Sequence, residues 1–271
     1  MADEMTKASA ADLVTMERPA YLKQGDVRGT EHIKKADLLL PRLALAQGLT
    51  PQVMEQKEGF VPGVLFNSMT EEILGKGPIE ITILRADPPR WIEFYPRTQG
   101  GGVKDMNVPA HDPRTQFRQN EQGQSEPPQA TMFYDFIIAT LPLKPNPMDS
   151  VIALSMKSTG LKVARRLNTL MKYRNAPTFA GKYKLTTAVE KNAKGIYAIF
   201  VVDNSDIASP CSYVGSKGQL EPGWVDTNTA AACEAMFTAL QDRSVTVDRT
   251  GAGDPDEGLD VDPVTGEKIP F

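Results

Sequence analysis

Basic and aromatic side chains are interleaved in the segment 90–97, which reads Arg-Trp-Ile-Glu-Phe-Tyr-Pro-Arg. In an extended strand, Ile92 and Phe94 would face the core, and Trp91 and Tyr95 would lie on the opposite face. Arginines bind phosphates and exposed rings stack on bases, so this pattern is typical of a single-stranded nucleic-acid surface. The alternative is that Trp91 is an ordinary core residue. The predicted contacts here are Arg90, Trp91, Tyr95 and Arg97.

A helix predicted from the Ser158-Thr159 cap to about Arg174 forms the second candidate surface. At about 100° per residue its apolar and basic residues separate into opposite arcs. The predicted apolar arc contains Val163, Ala164, Leu167, Leu170 and Met171. No carboxylate interrupts the seven bases between Lys157 and Lys182. The predicted phosphate contacts are Lys157, Lys162, Arg165, Arg166 and Lys172. The alternative is a helix that plugs a barrel end away from any ligand.

A third candidate lies in the strand that begins at Lys182. Lys182 and Lys184 would project from one face of this strand and Tyr183 from the other. We interpret Tyr183 as a core residue and predict that the two lysines line a nucleic-acid groove. The alternative is an ordinary solvated strand face.

Residues 98–129 are rich in Gly, Gln, Asn, Asp and Pro and contain few large apolar residues. A stretch of this length without regular structure is uncommon inside a domain and is usually functional or disordered. We therefore predict a flexible insertion that closes over a bound strand. Its predicted contacts are Arg114, Phe117 and Arg118.

The last 21 residues, 251–271, carry six carboxylates and one lysine, a net charge of −5. The whole chain has a net charge of −4, so residues 1–250 together carry +1. Such an acidic segment buries too little apolar surface to offset its ordering entropy and is expected to be disordered. A mildly basic body with an acidic end suggests a nucleic-acid binder.

The chain ends in Ile269-Pro270-Phe271, an apolar and aromatic tip with a free carboxylate. This acidic tail resembles the C-terminus of bacterial single-stranded DNA-binding proteins (SSB), and the long body looks more like their divergent bacteriophage counterparts. The resemblance implies recruitment of replication or recombination proteins by the tip. Lys268 departs from the SSB pattern, which carries acid there. The residues expected to bind the partner are Asp260, Asp262, Ile269, Pro270 and Phe271. A plain solubilising tail is the alternative.

The predicted order of elements is several strands, one helix, two strands and one helix, which defines a β-rich α+β fold. Short, closely spaced strands with a single inserted helix favour an OB-like Greek-key barrel with long insertions. We expect residues 1–30 to form an N-terminal arm, residues 31–245 the binding domain and residues 246–271 the disordered tail. After Pro88-Pro89, the segment 90–97 is expected to be the hairpin partner of strand 78–85.

The sequence lacks the common phosphate-loop, dinucleotide, serine-hydrolase and zinc-protease motifs. Its two cysteines and two histidines are scattered, so we expect no metal, no cofactor and no catalytic residue. The first residues do not resemble a signal peptide and no apolar run could span a membrane, which predicts a cytoplasmic protein. The sequence therefore predicts sequence-independent binding of single-stranded DNA. A metal-dependent nuclease and a virion or assembly protein are the alternatives.

Overall fold

The computed structural model describes residues 39–96, 101–120, 122–192, 195–202, 212–214, 220–241 and 246–247. The predicted N-terminal arm, Arg97 and residues 248–271 lie outside this range. The strands are β1 (Leu39–Leu40), β2 (Leu43–Leu45), β3 (Leu65–Asn67), β4 (Ile73–Gly75), β5 (Ile79–Ala86), β6 (Arg90–Phe94), β7 (Val103–Val108), β8 (Arg118–Gln119), β9 (Ser125–Glu126), β10 (Ala130–Leu141), β11 (Val151–Met156), β12 (Lys182–Asn192), β13 (Gly195–Val202), β14 (Ser212–Val214), β15 (Leu220–Pro222) and β16 (Thr246–Val247). The α-helices are α1 (Pro51–Met54), α2 (Gly160–Arg174) and α3 (Thr227–Leu240).

These bounds confirm the β-rich prediction, and β10, β11, β13, α2 and α3 lie close to their predicted positions. The predicted stop of α2 is also confirmed, because Asn175 adopts the left-handed conformation (φ 48°) two residues before Pro177. The predicted side-chain cap is absent, since Thr159 makes no capping hydrogen bond. The first two residues of the predicted tail form β16, which pairs in parallel with β1.

Strand β10 is the central element of the main sheet, whose order is β13-β12-β5-β10-β6-β7 with β11 also paired to β10. Residues 134–139 of β10 pair with β11, and residues 136–141 pair with β5. Because these two spans overlap, β11 and β5 occupy opposite edges of β10. The side chains of β10 therefore alternate between two covered faces.

The prediction that β5 and β6 form a hairpin is wrong. Both strands run antiparallel to β10 and follow one another along it, with Ala86 opposite Phe136 and Arg90 opposite Phe133. Pro88 and Pro89 lack the N–H that a continuous ladder needs, so they interrupt one long strand and do not reverse it.

The two faces of the main sheet carry separate cores. Phe136 and Ile138 of β10 pack with buried residues of α2 and of the small sheet β2-β3-β4. Their neighbours Ile137 and Ala139 point to the opposite face and pack with Cys233, Met236 and Leu240 of α3. The sheet thus lies between α2 on one side and α3 on the other.

The small sheet links two edges of the main sheet. Arg42 forms a parallel bridge with Ala153 of β11. At the other edge, the Gln47 side-chain amide donates to the Ala198 carbonyl and its oxygen accepts from the Ala198 N–H, both at 2.8 Å. The Gln47 side chain therefore makes, with the backbone of β13, the pair of hydrogen bonds that a neighbouring strand would make. The described strands form no closed barrel, so the OB-like prediction is not confirmed.

The prediction of an insertion without regular structure is wrong for much of 98–129. Strand β7 pairs with β6, a 3-10 turn spans Pro113–Thr115, and β8 pairs with β9. The sequence signal was weak because β7 contains only three apolar residues among its six.

We expect Gln47→Ala to destabilise the protein by about 2–4 kcal/mol, because two backbone groups of Ala198 would lose their buried partner. Urea unfolding followed by circular dichroism measures this. Gln52→Ala is the matched control, since Gln52 makes a peripheral hydrogen bond to Glu71. Equal midpoints for the two variants would show that the Gln47 link does not hold the edges together.

Candidate nucleic-acid interface

Helix α2 presents one buried and one exposed face, as predicted. Ala164, Leu167 and Leu170 are buried in the core, with Val163 and Met171 packed against it. The opposite face is open to solvent. Its exposed residues are Lys162, Arg165, Arg166, Thr169, Lys172 and Tyr173.

The exposed face of α2, hereafter the α2 basic face, is a row of cations. Its six residues fall within an arc of roughly 120° at about 100° per residue. The row from Lys162 to Tyr173 is about 16 Å long at 1.5 Å rise per residue. Because α2 contains no Asp or Glu, no carboxylate of its own neutralises these cations. The structure therefore brings together four predicted contacts, Lys162, Arg165, Arg166 and Lys172.

Tyr173 belongs to the same face and was missed by sequence reasoning. Its side chain is 63% exposed, although large aromatic residues are usually buried. The signal was available in the sequence, because the helical angle places Tyr173 between Lys162 and Arg166 on the polar arc.

Arg174, the last base of α2, does not belong to the exposed row. Its guanidinium lies 4.2 Å from the centre of the Tyr183 ring and 5.7 Å from that of Trp224. Its Nη2 donates to the Lys182 carbonyl at 2.9 Å. Arg174 is buried and fixes the C-terminal end of α2 against β12.

Lys182 and Lys184 lie on the other face of the sheet from α2. Tyr183 between them is buried in the core that includes Leu167, so the interpretation of Tyr183 as core is confirmed. Alternation along β12 directs both lysines to the opposite face. Lys182 Nζ lies 3.4 Å from Glu80 Oε1. The predicted basic run from Lys157 to Lys182 is therefore not one continuous surface.

Arg90 and Lys157 are engaged with the protein body. Arg90 Nη2 donates to Asp135 Oδ2 at 2.8 Å, and Asp135 is 2% exposed. Asp135 also accepts from Ser155 Oγ at 2.6 Å. Lys157 Nζ lies 5.8 Å from the centre of the Phe133 ring. The Arg90 guanidinium therefore compensates a buried carboxylate, and its contact with phosphate stays a prediction.

The predicted alternation of β6 is largely confirmed. Ile92 is fully buried, and the Phe94 ring lies 5.9 Å from that of Phe133. Trp91, opposite Met132, is half-buried, and Tyr95 is exposed. Tyr95 is therefore available for stacking. Trp91 is partly buried and partly exposed, so it has features of both a core residue and a stacking residue.

Arg114, a predicted phosphate contact, pairs with three carboxylates. Its Nη1 lies 2.7 Å from Glu93 Oε2 and 3.1 Å from Asp105 Oδ2, and its Nη2 lies 2.8 Å from Asp112 Oδ2. Glu93 is 6% exposed and also accepts from Lys104 Nζ at 2.7 Å. Arg114 therefore anchors the insertion to β6.

The ion pairs around Arg114 shift the pKa values of Glu93, Asp112 and Arg114 itself. Hydrogen bonds from Lys104 and Arg114 outweigh desolvation and hold the pKa of Glu93 below its ordinary range. The Arg114 guanidinium, chiefly through hydrogen bonds, lowers the pKa of Asp112 to about 2. The pKa of Arg114 is raised in turn, first by Asp112 and then by Glu93.

Phe117 and Arg118 follow this anchor and are both exposed. Phe117 is 68% exposed, and Arg118 stands opposite Glu126 in the β8-β9 pair. Their exposed side chains are available for the contacts that the sequence predicts. Within the described ranges, no group of three or more His, Cys, Asp and Glu residues could hold a metal ion. The same ranges contain no helix long and apolar enough to cross a membrane.

Comparison with known proteins gives one family. The family model described as Pam3 phage gp34-like protein matches residues 7–222. The comparisons with curated proteins and with solved structures gave no match.

The carboxylates around Arg114 predict that the stability of the fold decreases at acidic pH. Because folding lowers the pKa values of Glu93 and Asp112, these two carboxylates stabilise the fold above their unfolded values near 4, and this stabilisation is lost as the pH falls toward 2. We expect Arg114→Met to weaken the pH dependence of the urea midpoint in this window. Arg118→Met, an exposed arginine of the same segment, should retain the wild-type dependence. Identical profiles for both variants would contradict the anchor.

Proposed function

We propose that this chain, which belongs to the Pam3 phage gp34-like protein family, binds single-stranded DNA without sequence preference during phage replication or recombination. The observation that carries the proposal is the α2 basic face. It places four cations and an exposed aromatic ring on one rigid helix. Cations for phosphates and rings for bases are the two requirements of such binding.

The α2 basic face is suited to a polyanion because it is exposed and α2 itself contains no Asp or Glu. Other bases of the body are held by carboxylates, as Arg90 is by Asp135 and Arg114 by Glu93. The buried face of α2 fixes the backbone on the sheet, so its exposed cations are presented together. Each phosphate contact releases condensed counterions, which makes such binding strongly dependent on salt.

Phe117, Arg118 and Tyr95 provide a second, smaller group of exposed contacts in the proposal. They lie on or beside the β6-β7 edge of the main sheet, whereas α2 covers one of its faces. We assign the first contact to α2 and treat this edge as an extension of the binding surface. Lys184 and Lys182, on the other face, lie outside this proposed path.

An OB-like relationship of the body is part of the same proposal. Its support is the antiparallel path β13-β12-β5-β10-β11, with β2 bridged to β11 and linked to β13 through Gln47. Helix α2 packs against the core that these strands share, and the proposal assigns it the role of the inserted helix.

Salt titration tests the proposed DNA binding. We expect a triple variant to have a less steep dependence of log affinity on log salt concentration than the wild type. Its slope should be smaller in magnitude by about 2, at about 0.7 per lost phosphate contact. The variant carries Ala at Arg165, Arg166 and Lys172. Fluorescence anisotropy of a labelled oligo-dT measures the affinity. The matched control replaces Lys57, Lys76 and Lys144 by Ala, which removes the same charge; Lys57 and Lys144 there pair with Glu71 and Glu72.

Equal slopes for the wild type and both triple variants would remove α2 from the binding surface. Absence of any salt-dependent affinity in the wild type would overturn DNA binding and favour the virion or assembly role. Loss of the labelled oligonucleotide only when Mg²⁺ is present would favour the nuclease.

The proposal also assigns partner recruitment to the acidic tail, with Asp260, Asp262 and the tip Ile269-Pro270-Phe271 as contacts. An aromatic ring beside a free carboxylate suits an apolar pocket rimmed by basic residues. The apolar body of the tip and its charge would act together, so the loss of the ring should weaken the interaction strongly.

Phe271→Ala should therefore abolish recovery of replication or recombination proteins from infected-cell extract while leaving oligo-dT affinity unchanged, because a central anchor typically contributes about 2 kcal/mol or more. Val264→Ala, in the same tail, is the control for the apolar change. Mass spectrometry of the retained proteins is the measurement. Reduced DNA binding with unchanged protein recovery would contradict this role of the tail.

A further inference from the structure

We infer that Tyr173 stacks on an unpaired base and makes the α2 basic face select single-stranded over duplex DNA. This inference rests on the proposed function and assigns its strand selectivity to one residue. The α2 cations alone would contact phosphates of either form, because both forms carry one negative charge on each phosphate of the backbone.

The position of Tyr173 is the first support. Its side chain is 63% exposed, yet it lies inside the cationic row, one residue after Lys172 and one turn beyond Thr169. The rings of Tyr183 and Phe136, in the same part of the protein, are buried in the core. Tyr173 thus places a large aromatic surface where only phosphate contacts would otherwise be found.

The rigidity of this position is the second support. The next residue, Arg174, is buried, lies over the Tyr183 ring and donates to the Lys182 carbonyl. On the other side, Leu170 packs into the core. The backbone that carries Tyr173 is therefore fixed from both sides, and a ring on a fixed element loses little freedom when it binds.

The chemistry of stacking supplies the selectivity. A tyrosine ring needs the open face of a base, and in a duplex both faces of each base are covered by stacked neighbours. Phosphates remain accessible in both forms. A stacked Tyr173 would therefore strengthen binding of a single strand and leave binding of a duplex unchanged. Every base has such a face, so the contact tolerates any sequence.

Three variants of the full chain test the inference: Tyr173→Ala, Tyr173→Leu and Tyr173→Phe. Tyr173→Ala should weaken oligo-dT binding by about tenfold, because a stacked base contributes about 1–3 kcal/mol. Binding of a duplex of the same length should not change, nor should the salt slope for oligo-dT. Tyr173→Phe should bind as the wild type does, since it keeps the ring, and Tyr173→Leu should resemble Tyr173→Ala.

Other outcomes overturn the inference. An equal loss on single-stranded and duplex DNA, or no loss on either, removes the stacking role. A loss in Tyr173→Phe as large as in Tyr173→Ala would assign the effect to the hydroxyl. Urea midpoints control for folding, and alanine is a good helix former at this exposed position. The Arg165, Arg166 and Lys172 variant separates the two hypotheses: if it loses binding while Tyr173→Ala does not, the proposed function stands and the stacking fails.

Discussion

The structure depends on the burial of β10 from both sides. Strands pair with its backbone on both edges, so its successive side chains alternate between two cores on opposite faces of the sheet. Phe136 and Ile138 enter the core covered by α2, and Ile137 and Ala139 enter the one covered by α3. Apolar burial at about 25 cal/mol per Å² requires a cover for each face. The position of α2, and with it the direction of its basic face, follows from this requirement.

The charges of the body are sorted by the same architecture. Asp135 and Glu93, on strands of the main sheet, are buried and hold Arg90 and Arg114 through ion pairs. Arg174 is buried, where it lies over the Tyr183 ring and donates a hydrogen bond to the Lys182 carbonyl. A buried charge without a partner is costly, so these arginines stabilise the body. On α2, the apolar residues supply the packing, so the cations on the opposite side of the helix lie at the surface.

This division gives the proposed binding surface its properties. Affinity would come from cations on a rigid helix, strand selectivity from Tyr173, and partner recruitment from an acidic tail ending at Phe271. The three features use separate residues, so each can be substituted separately. The chain belongs to the Pam3 phage gp34-like protein family, and the proposed role is in phage replication or recombination.

The sequence by itself determined the features that depend on local periodicity. Alternation placed Tyr183 in the core, and the helical period separated the buried Leu167 from the exposed Arg166. Tertiary structure decided which cations pair with buried carboxylates, because the partners are distant: Arg90 and Asp135 are 45 positions apart. Gln47 and Ala198, which join two edges of the sheets, are 151 positions apart. Tertiary structure also joined β5 and β6 along one edge of β10. Local patterns encode which side of an element is apolar, whereas ion pairs and strand order depend on which distant segments the two cores bring together.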